Sequence, residues 1–548
     1  MLSLRSFLLV ALCLAVVVFA VYSPSLNFQF ILDDHRFTGD PRIQSPDHVW
    51  DYFANFVWAQ FTGGPPSFYR PLFLLWLRIN FILSAMSPWG WHALSIVKHL
   101  AVAVLLGLLL LRLLRDRIAA LIAAGLFALH PAQTESVAWV TVPDPLMSAA
   151  ILGALLLYLR WVAIFPQPKG DERKSRKTAR TKKAAQPQAS WLIASAAACF
   201  AALMAKETAI ILPVVIFALA LLVPRGDNGA ADFRVRLMRA FRQTVPFLCV
   251  TAFYLLMRFH ALGGKLAART QSLPWSTVLL SWPATLWFYV RVLLWPNHSR
   301  AFADPTLVQG FSFRAVVMPA LGLGCAVGIL AVTLFWAWNK ARRVLPPQDA
   351  ANVEYALVIG TLLLVLPILL TLDLNALNPG DFLHGRYTYL PSAALMLLLA
   401  TVWHLSGELR VPLLFAGGLL AVVFAALTVS QEKQWKDDLT VFTVAHELAP
   451  HNAPVAKNLA DAHLQVALQL ADDGRCSEAM PVFEQVSQEY PQDWYAWAGL
   501  GDCLVQLNNL PKAEESLRRA AELSHNSRVV QHWQELRAHM GLPNSAPQ

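Results

Sequence analysis

Two adjacent carboxylates and a histidine, Asp33, Asp34 and His35, follow the first apolar run of the chain in the segment FQFILDDHRFTGDP. A carboxylate beside a membrane segment is well placed to take a proton from a hydroxyl group as that hydroxyl attacks. If the backbone is extended, the two aspartates point to opposite sides, so only one of them can serve a given atom. The alternative is that the pair caps a following helix on a solvated surface.

Three further motifs carry cations that are suited to hold a phosphate group. Arg70 lies in FYRPL, Lys206 in MAKETA and Arg386 in FLHGRYTYLP. An anionic leaving group requires such cations, because charge builds on the phosphate oxygens as the bond breaks. The structural alternative for Lys206 and Glu207 is the tip of a tight helical hairpin, whereas Tyr387 beside Arg386 favours a headgroup site.

Ionisable groups at membrane depth are costly and are functional candidates by default. His92 and His99 are seven residues apart and share a helix face, whereas Lys98 points elsewhere. Two histidines are too few for a metal site, so we expect them to pack helices or to line a cavity. The other candidates, including those in ALHPAQTESVAW and MRFH, fall near the predicted outer ends of spans.

The elements that must position these residues are membrane helices. The chain has 548 residues, of which 56% are hydrophobic and only 14% are charged, and its mean hydropathy is +0.46. This composition is typical of a polytopic membrane protein. The net charge of +9 does not indicate nucleic-acid binding, because the stretch 168–183 alone holds eight basic residues against two acids.

Twelve apolar runs are candidates for spans, which need about 17 to 25 residues. They lie near 6–22, 90–112, 117–131, 144–165, 190–205, 207–223, 243–261, 276–295, 313–338, 354–372, 388–405 and 410–430. Lys and Arg in short loops place the N-terminus and the basic loop at about 166–190 in the cytoplasm. If 276–295 lies in the interface, the cationic NKARR (339–343) also stays inside, eleven spans remain and the C-terminus lies outside.

The first outer loop is expected to extend from about 23 to 89, and the run 69–86 within it to form an amphipathic helix on the membrane surface. The loops that carry Asp33, His130 and Arg386 then face the same side. This convergence is what an active site at the membrane surface would need.

The polar part of the chain from about 431 shows a helical repeat pattern. The segment 493–527 carries small and large residues, among them Gly501 and Leu517, at the spacing of a tetratricopeptide repeat. About two and a half repeats are present, which fits a small docking platform or a helical cap without a ligand. Cys476 and Cys503 lie in this part and are candidates for a disulfide if it faces an oxidising compartment.

The ordered motifs together resemble a known family. An acidic pair after the first span, YRPL, LHPAQTESVAW, KET, RYTYLPS and the C-terminal repeats resemble the transmembrane and tetratricopeptide-repeat O-mannosyltransferases and their bacterial relatives, which belong to the C-type glycosyltransferase (GT-C) superfamily. The expected fold is all-α, with a membrane domain of about eleven transmembrane helices at 1–430 and a short tetratricopeptide-repeat domain at 431–548.

The resemblance implies transfer of a sugar, such as mannose, from a polyprenyl-phosphate carrier to a Ser/Thr hydroxyl of an extracytoplasmic protein, with inversion at the sugar carbon. Asp34, or else Asp33, is then the general base, and Arg386, Lys206 and Arg70 hold the lipid phosphate. The residues expected to line the sugar and acceptor pocket are His35, Tyr69, His130, Glu135, Glu207 and Tyr387.

Two alternatives stay open: the same chemistry on a glycan or lipid acceptor, and a non-enzymatic scaffold or transporter that recruits partners through the repeats. No cofactor or metal ion is predicted to be required. The expected partners are membrane lipid, the lipid-linked sugar and an acceptor protein or peptide, and not nucleic acid. The expected location is a bacterial inner membrane, with a cytoplasmic N-terminus and periplasmic repeats.

Overall fold

The computed structural model of the protein describes residues 4–60, 68–163, 189–223, 233–265, 271–296, 307–377, 383–524 and 526–543. Within these ranges the chain is all-α, with no β-strand, as the sequence predicts. It divides into two compact units, Met1–Asp437 and Asp438–Gln548.

The first unit contains seventeen α-helices within the described residues, interrupted by short 3₁₀ turns. Their bounds are α1 Leu4–Tyr22, α2 Asp33–Thr38, α3 Pro41–Gln44, α4 Asp51–Ala54, α5 Pro71–Ser84, α6 Pro88–Leu114, α7 Arg117–Ala128, α8 Thr134–Ala138, α9 Asp144–Ala163, α10 Ala189–Ala205, α11 Leu212–Leu222, α12 Phe233–Ala261, α13 Trp275–Leu294, α14 Met318–Val344, α15 Pro347–Leu369, α16 Tyr389–Leu405 and α17 Arg410–Glu432.

Eight helical segments in the described part of the chain are long and apolar enough to cross a membrane. They are Pro88–Leu114, Asp144–Val162, Phe233–Ala261, Trp275–Leu294, Phe313–Val344, Pro347–Leu372, Gly385–Leu405 and Gly407–Trp435. Five shorter apolar segments accompany them: Ala11–Asn27, Pro71–Ser84, Arg117–Ala128, Ala189–Ala205 and Glu207–Leu222. The protein is therefore a multi-pass membrane protein, and the count of eleven spans stays a prediction.

Helix α6 lies at the centre of the first unit, where it packs against α1, α7, α9 and α15. Its buried Leu106 and Leu110 join one large apolar core, and small residues such as Ala120 on α7 let that helix come close. A Cβ atom added to Gly360 on α15 would come within 2.6 Å of Leu398 on α16. Because residue 360 has no side chain, helices α15 and α16 can pack closely at this point.

The second unit is a stack of antiparallel helices: α18 Asp438–Leu448, α19 Ala453–Asp472, α20 Cys476–Glu489, α21 Trp494–Gln506, α22 Leu510–Ser524 and α23 Ser527–His539. Added Cβ atoms on Gly499 and Gly501 would come within 2.5 Å of Phe483 and 2.6 Å of Leu517. Small residues of α21 thus receive large side chains of both neighbouring helices, as the repeat pattern predicts. Cys476 and Cys503 form a disulfide between α20 and α21, with their Cα atoms 5.1 Å apart.

Candidate active site

The acidic pair begins helix α2 and is not part of an extended strand, so the extended backbone considered in the sequence analysis does not occur here. Successive side chains on a helix diverge by about 100°, and the two aspartates still separate: Asp34 is fully buried, whereas Asp33 is half-buried and His35 is exposed. Leu32, at the N-terminal boundary of α2, has φ 52° and ψ −126°. A non-glycine residue in this conformation costs about 1–3 kcal/mol, and the surrounding structure must hold it.

The buried carboxylate of Asp34 accepts hydrogen bonds on both oxygens. Thr141 donates to Oδ1 from its hydroxyl at 2.7 Å and from its backbone N–H at 3.2 Å, and the backbone N–H of Ile31 donates to Oδ2 at 3.2 Å. Burial raises the pKa of Asp34 to about 7, although these hydrogen bonds oppose the rise. Asp34 is therefore held in one orientation and changes its charge near neutral pH.

Lys98 on α6 holds the backbone on either side of Thr141. Its ammonium group donates to the carbonyl of Val142 at 3.0 Å and to that of Val140 at 3.4 Å, and the side chain is buried. The charges of Asp34 and Asp144 both act on this lysine. Lys98, which the sequence analysis placed away from the two histidines, therefore faces the candidate site.

The two histidines of α6 have protein partners that fit the predicted packing role. The ring nitrogens of His99 lie 2.7 Å from the Tyr389 hydroxyl and 3.0 Å from the carbonyl of Ala128. His92 Nε2 lies 3.4 Å from the carbonyl of Gln29. Both rings thus connect α6 to neighbouring segments.

Two of the predicted phosphate-binding cations lie in adjacent ion pairs. Lys206, between α10 and the short helix Glu207–Ile211, donates to both oxygens of Asp144 at 2.6 and 2.7 Å, and both residues are buried. Arg70, just before α5, donates to both oxygens of Glu207 at 2.9 and 2.6 Å. The positive charges of Arg70 and Arg386 act on Lys206, so the three cations share one site.

Arg386 forms a third ion pair, with the buried carboxylate of Glu135. Its guanidinium lies 3.2 Å from Oε1 and its backbone N–H donates to Oε2 at 2.9 Å, while His384 Nδ1 also lies 3.2 Å from Oε1. The guanidinium is 4.6 Å above the ring of Trp139 and 5.5 Å from that of Tyr387. Lys206 lies 4.9 Å above the same Tyr387 ring, so this tyrosine contacts two of the cations.

Two of the predicted pocket residues have buried structural partners. His130 Nε2 lies 3.1 Å from the carbonyl of Leu293, and its Nδ1 accepts from Ala132 at the start of a short helix. The Tyr69 hydroxyl donates to the carbonyl of Phe53 at 2.9 Å. Both side chains hold the loops beside the site together, and their assignment to a sugar pocket stays a prediction.

The sequence analysis did not single out four residues of this site, although Trp139 and His384 lie in motifs that it quoted. The stretch from α8 to the first residue of α9 supplies Trp139, Thr141 and Asp144 in addition to Glu135, and His384 joins the Glu135 pair. Asp144 could have been found, because it is an acid at the predicted outer end of an apolar run, as the other candidates are. No sequence pattern marks Thr141.

A neighbouring indole pair has unused hydrogen-bond donors. The rings of Trp139 and Trp435 are stacked with centroids 6.4 Å apart. Each Nε1 is buried and has no hydrogen-bond partner among the described residues. These donors are available to a polar ligand.

Comparisons with known proteins give two results for the sequence. A family model for the tetratricopeptide repeat matches residues 470–539. Protein O-mannosyl-transferase TMTC3 of Mus musculus is 24% identical over 533 residues, which are 92% of this chain and 54% of the mouse protein. The Homo sapiens protein of the same name is 23% identical over 552 residues, with the same two shares. The chain is similar to these O-mannosyl-transferases over most of its length.

This similarity confirms the predicted resemblance, and the chain spans about half the length of these relatives. Protein O-mannosyl-transferase Tmtc1 of Drosophila melanogaster is 34% identical over 129 residues, which are 22% of this chain and 14% of the fly protein. Among solved structures, the oligosaccharyltransferase AglB from Archaeoglobus fulgidus, in complex with an inhibitory peptide and a dolichol-phosphate, has a TM-score of 0.37. It is 16% identical and covers 83% of this chain and 59% of that chain, a likeness too weak to carry an argument.

Proposed function

We propose that this protein is a glycosyltransferase that moves a sugar from a polyprenyl-phosphate carrier to a Ser/Thr hydroxyl of an extracytoplasmic protein. The single observation that carries the proposal is the buried carboxylate of Asp34, which accepts hydrogen bonds on both oxygens beside a site with three cations. The names of the similar proteins support mannose as the sugar and a protein as the acceptor.

The proposed reaction is a single displacement with inversion. The acceptor oxygen attacks the anomeric carbon on the face opposite to the phosphate, and the bond between that carbon and the phosphate oxygen breaks. Asp34 takes the hydroxyl proton, and the polyprenyl phosphate leaves with the bonding electron pair. A base whose pKa lies near the working pH is suited to this step, since it is ionised before the reaction and basic enough to accept the proton.

The proposed phosphate site consists of Arg386, Lys206 and Arg70. Each of these cations already has a carboxylate partner, so the three pairs carry no net charge on their own. A bound lipid phosphate would therefore have to share or replace a carboxylate partner. Arg386 is the best placed for this exchange, because its side chain is the most exposed of the three cations and its guanidinium lies over the ring of Trp139.

We place the proposed sugar pocket next to Asp34 and Arg386, with His35, Tyr387 and the Trp139–Trp435 pair as its expected lining. The unused indole N–H donors are suited to sugar hydroxyls, which accept hydrogen bonds. No metal ion is included in this proposal, and the absence of a metal requirement stays a prediction.

The proposed location of the repeats is the periplasm of a bacterium, where they would meet the acceptor protein. The disulfide between Cys476 and Cys503 supports this location, because disulfides persist in oxidising compartments. The N-terminus is then cytoplasmic, and the catalytic unit lies in the inner membrane.

The test is sugar transfer by the purified full-length protein, with dolichyl-phosphate mannose as donor and a Ser/Thr peptide library as acceptor. Asp34→Asn should lower the transfer rate by about 10²–10⁴-fold, as expected for loss of a general base. Asp33→Asn is the matched control and should keep activity within about threefold of the original protein. Full activity in both variants would remove the general-base assignment, and no transfer by the original protein to any peptide would reject the acceptor class.

A further inference from the structure

A cationic cleft is lined by residues of α9, α10 and α12. It lies at the ends of these helices that are far from the candidate active site. Helix α9 begins at Asp144 in that site and reaches the cleft at Trp161, which is about 25 Å along the helix axis. Helix α10 runs back from Leu192 at the cleft towards Lys206. The cleft has a volume of about 620 Å³ and is separate from the site described above.

One side of α12 supplies most of the lining. The spacing of i, i+1, i+4, i+5 and i+8 brings five side chains to one side of the helix. They are Arg234, Val235, Met238, Arg239 and Arg242. Gln243 joins them and is buried, with its Oε1 accepting a 2.7 Å hydrogen bond from the buried hydroxyl of Tyr158 on α9. This hydrogen bond joins α9 to α12 at the residue that follows Arg242.

The lining combines three positive charges with apolar walls. No acidic side chain is among the described residues that line the cleft, whose apolar part consists of Trp161, Leu192, Val235 and Met238. Val235 and Met238 are more than half exposed, and the exposed Phe241, Val245 and Leu248 continue the apolar surface along α12. Such a surface faces lipid acyl chains in a membrane helix, so the cleft is suited to a ligand with an anionic head and an apolar tail.

We infer that this cleft binds the headgroup of an anionic glycerophospholipid in the leaflet opposite to the active site. The predicted topology places that leaflet on the cytoplasmic side, where anionic lipids attract basic groups and basic pockets between membrane helices bind their headgroups. The phosphodiester lies against Arg239 and Arg242, while the acyl chains pack along Val235 and Met238. The inference does not depend on the proposed enzymatic function.

The test is lipid binding to the delipidated full-length protein in a neutral detergent, followed by native mass spectrometry. Phosphatidylglycerol should bind at least about tenfold more tightly than phosphatidylcholine, because roughly 1 kcal/mol is gained per basic residue near an anionic surface. Arg239→Gln with Arg242→Gln should lower the phosphatidylglycerol affinity by about tenfold or more.

Two further double variants keep the result interpretable. Arg239→Lys with Arg242→Lys keeps both charges and should bind phosphatidylglycerol nearly as the original protein does. Lys512→Gln with Arg528→Gln removes the same charge from exposed positions of the repeat unit and should leave binding unchanged. Equal affinity for the two phospholipids, or unchanged binding in the glutamine variant at the cleft, would overturn the inference. So would tighter binding of polyprenyl phosphate than of phosphatidylglycerol at these arginines.

Discussion

The protonation of Asp34 links its surroundings directly to the proposed chemistry. The ionised carboxylate is the form that accepts a proton, and its fraction increases as the pH rises through a pKa of about 7. We therefore expect kcat/KM to rise with pH, with a midpoint near 7. An ordinary exposed aspartate would be fully ionised at that pH, so kcat/KM would not rise with pH near 7.

Thr141→Val should move this midpoint to higher pH. The hydroxyl hydrogen bond stabilises the ionised form of Asp34, so its loss raises the pKa of the carboxyl, by about one pH unit for a bond to a charged group. The measurement is kcat/KM between pH 5 and 9, with the rate at high pH expected to stay close to that of the original protein. Thr244→Val, at a buried threonine that bonds within α12, is the control with an unchanged midpoint. An unmoved midpoint in both variants would show that another group controls the profile.

Several residues of the candidate site could be identified from the sequence, because placing a charged group at membrane depth costs free energy. Acids and cations at membrane depth are expensive, so Asp34, Lys206 and Arg386 stood out from an apolar sequence. Thr141 did not, because a threonine is common in helices and loops and its partner is 107 positions away. The carboxylate partners of the three cations also could not be assigned, since the pairing depends on loop conformation.

At the scale of elements, the repeats were predictable and the local structure of the acidic segment was not. The small and large residues of α21 and α22 repeat at a fixed period, and the structure places Gly501 against Leu517 as that period requires. Helix α2 is only six residues long and follows a strained Leu32. Neither helix propensity nor hydrophobic periodicity marks so short an element, because contacts with the rest of the unit hold it.

The disulfide between α20 and α21 should stabilise the repeat unit. It closes a loop with a sequence separation of 27 residues, for which the loss of chain entropy in the unfolded state predicts about 3–4 kcal/mol. Cys476→Ser with Cys503→Ser should therefore lower the unfolding temperature of this unit, measured on the full-length protein by calorimetry. Cys199→Ser, at a buried cysteine outside the disulfide, is the control for cysteine loss. A reducing agent should reproduce the effect in the original protein and leave the double variant unchanged.

At the scale of the whole membrane unit, the side-chain contacts limit how many helices can cross. Glu135 before α9 contacts Arg386 after α15, so an even number of crossings must separate them. Seven helices, α9 to α15, lie between these residues. The Tyr254 hydroxyl near the end of α12 donates to the carbonyl of Tyr69 beside Arg70, which places that end of α12 at the site. If α9 to α12 each cross the membrane, we therefore expect that one of α13, α14 and α15 does not cross.

Both ends of helix α13 contact segments on the side of the candidate active site. Just before it, the backbone N–H of Leu273 donates to Asn375 at 2.7 Å, and Asn375 follows the end of α15 that leads to Arg386. At its other end, the carbonyl of Leu293 lies 3.1 Å from His130. This geometry supports the interfacial position expected for 276–295, although the length and composition of α13 would also allow it to cross.

Cysteine labelling in intact bacterial cells can test this arrangement with a membrane-impermeant maleimide. In a background in which Cys13, Cys199, Cys249 and Cys325 are serine, Asp47→Cys in the first outer loop and Gln506→Cys in the repeats should be labelled. Arg343→Cys, at the end of α14, should react only after the cells are permeabilised, because its basic cluster stays on the cytoplasmic side when α13 does not cross. If α13 crossed instead, every later loop would change sides, so Arg343→Cys would be labelled and Gln506→Cys would be protected. That result would also separate Arg386 from Asp34 by the membrane and would contradict the ion pair between Arg386 and Glu135.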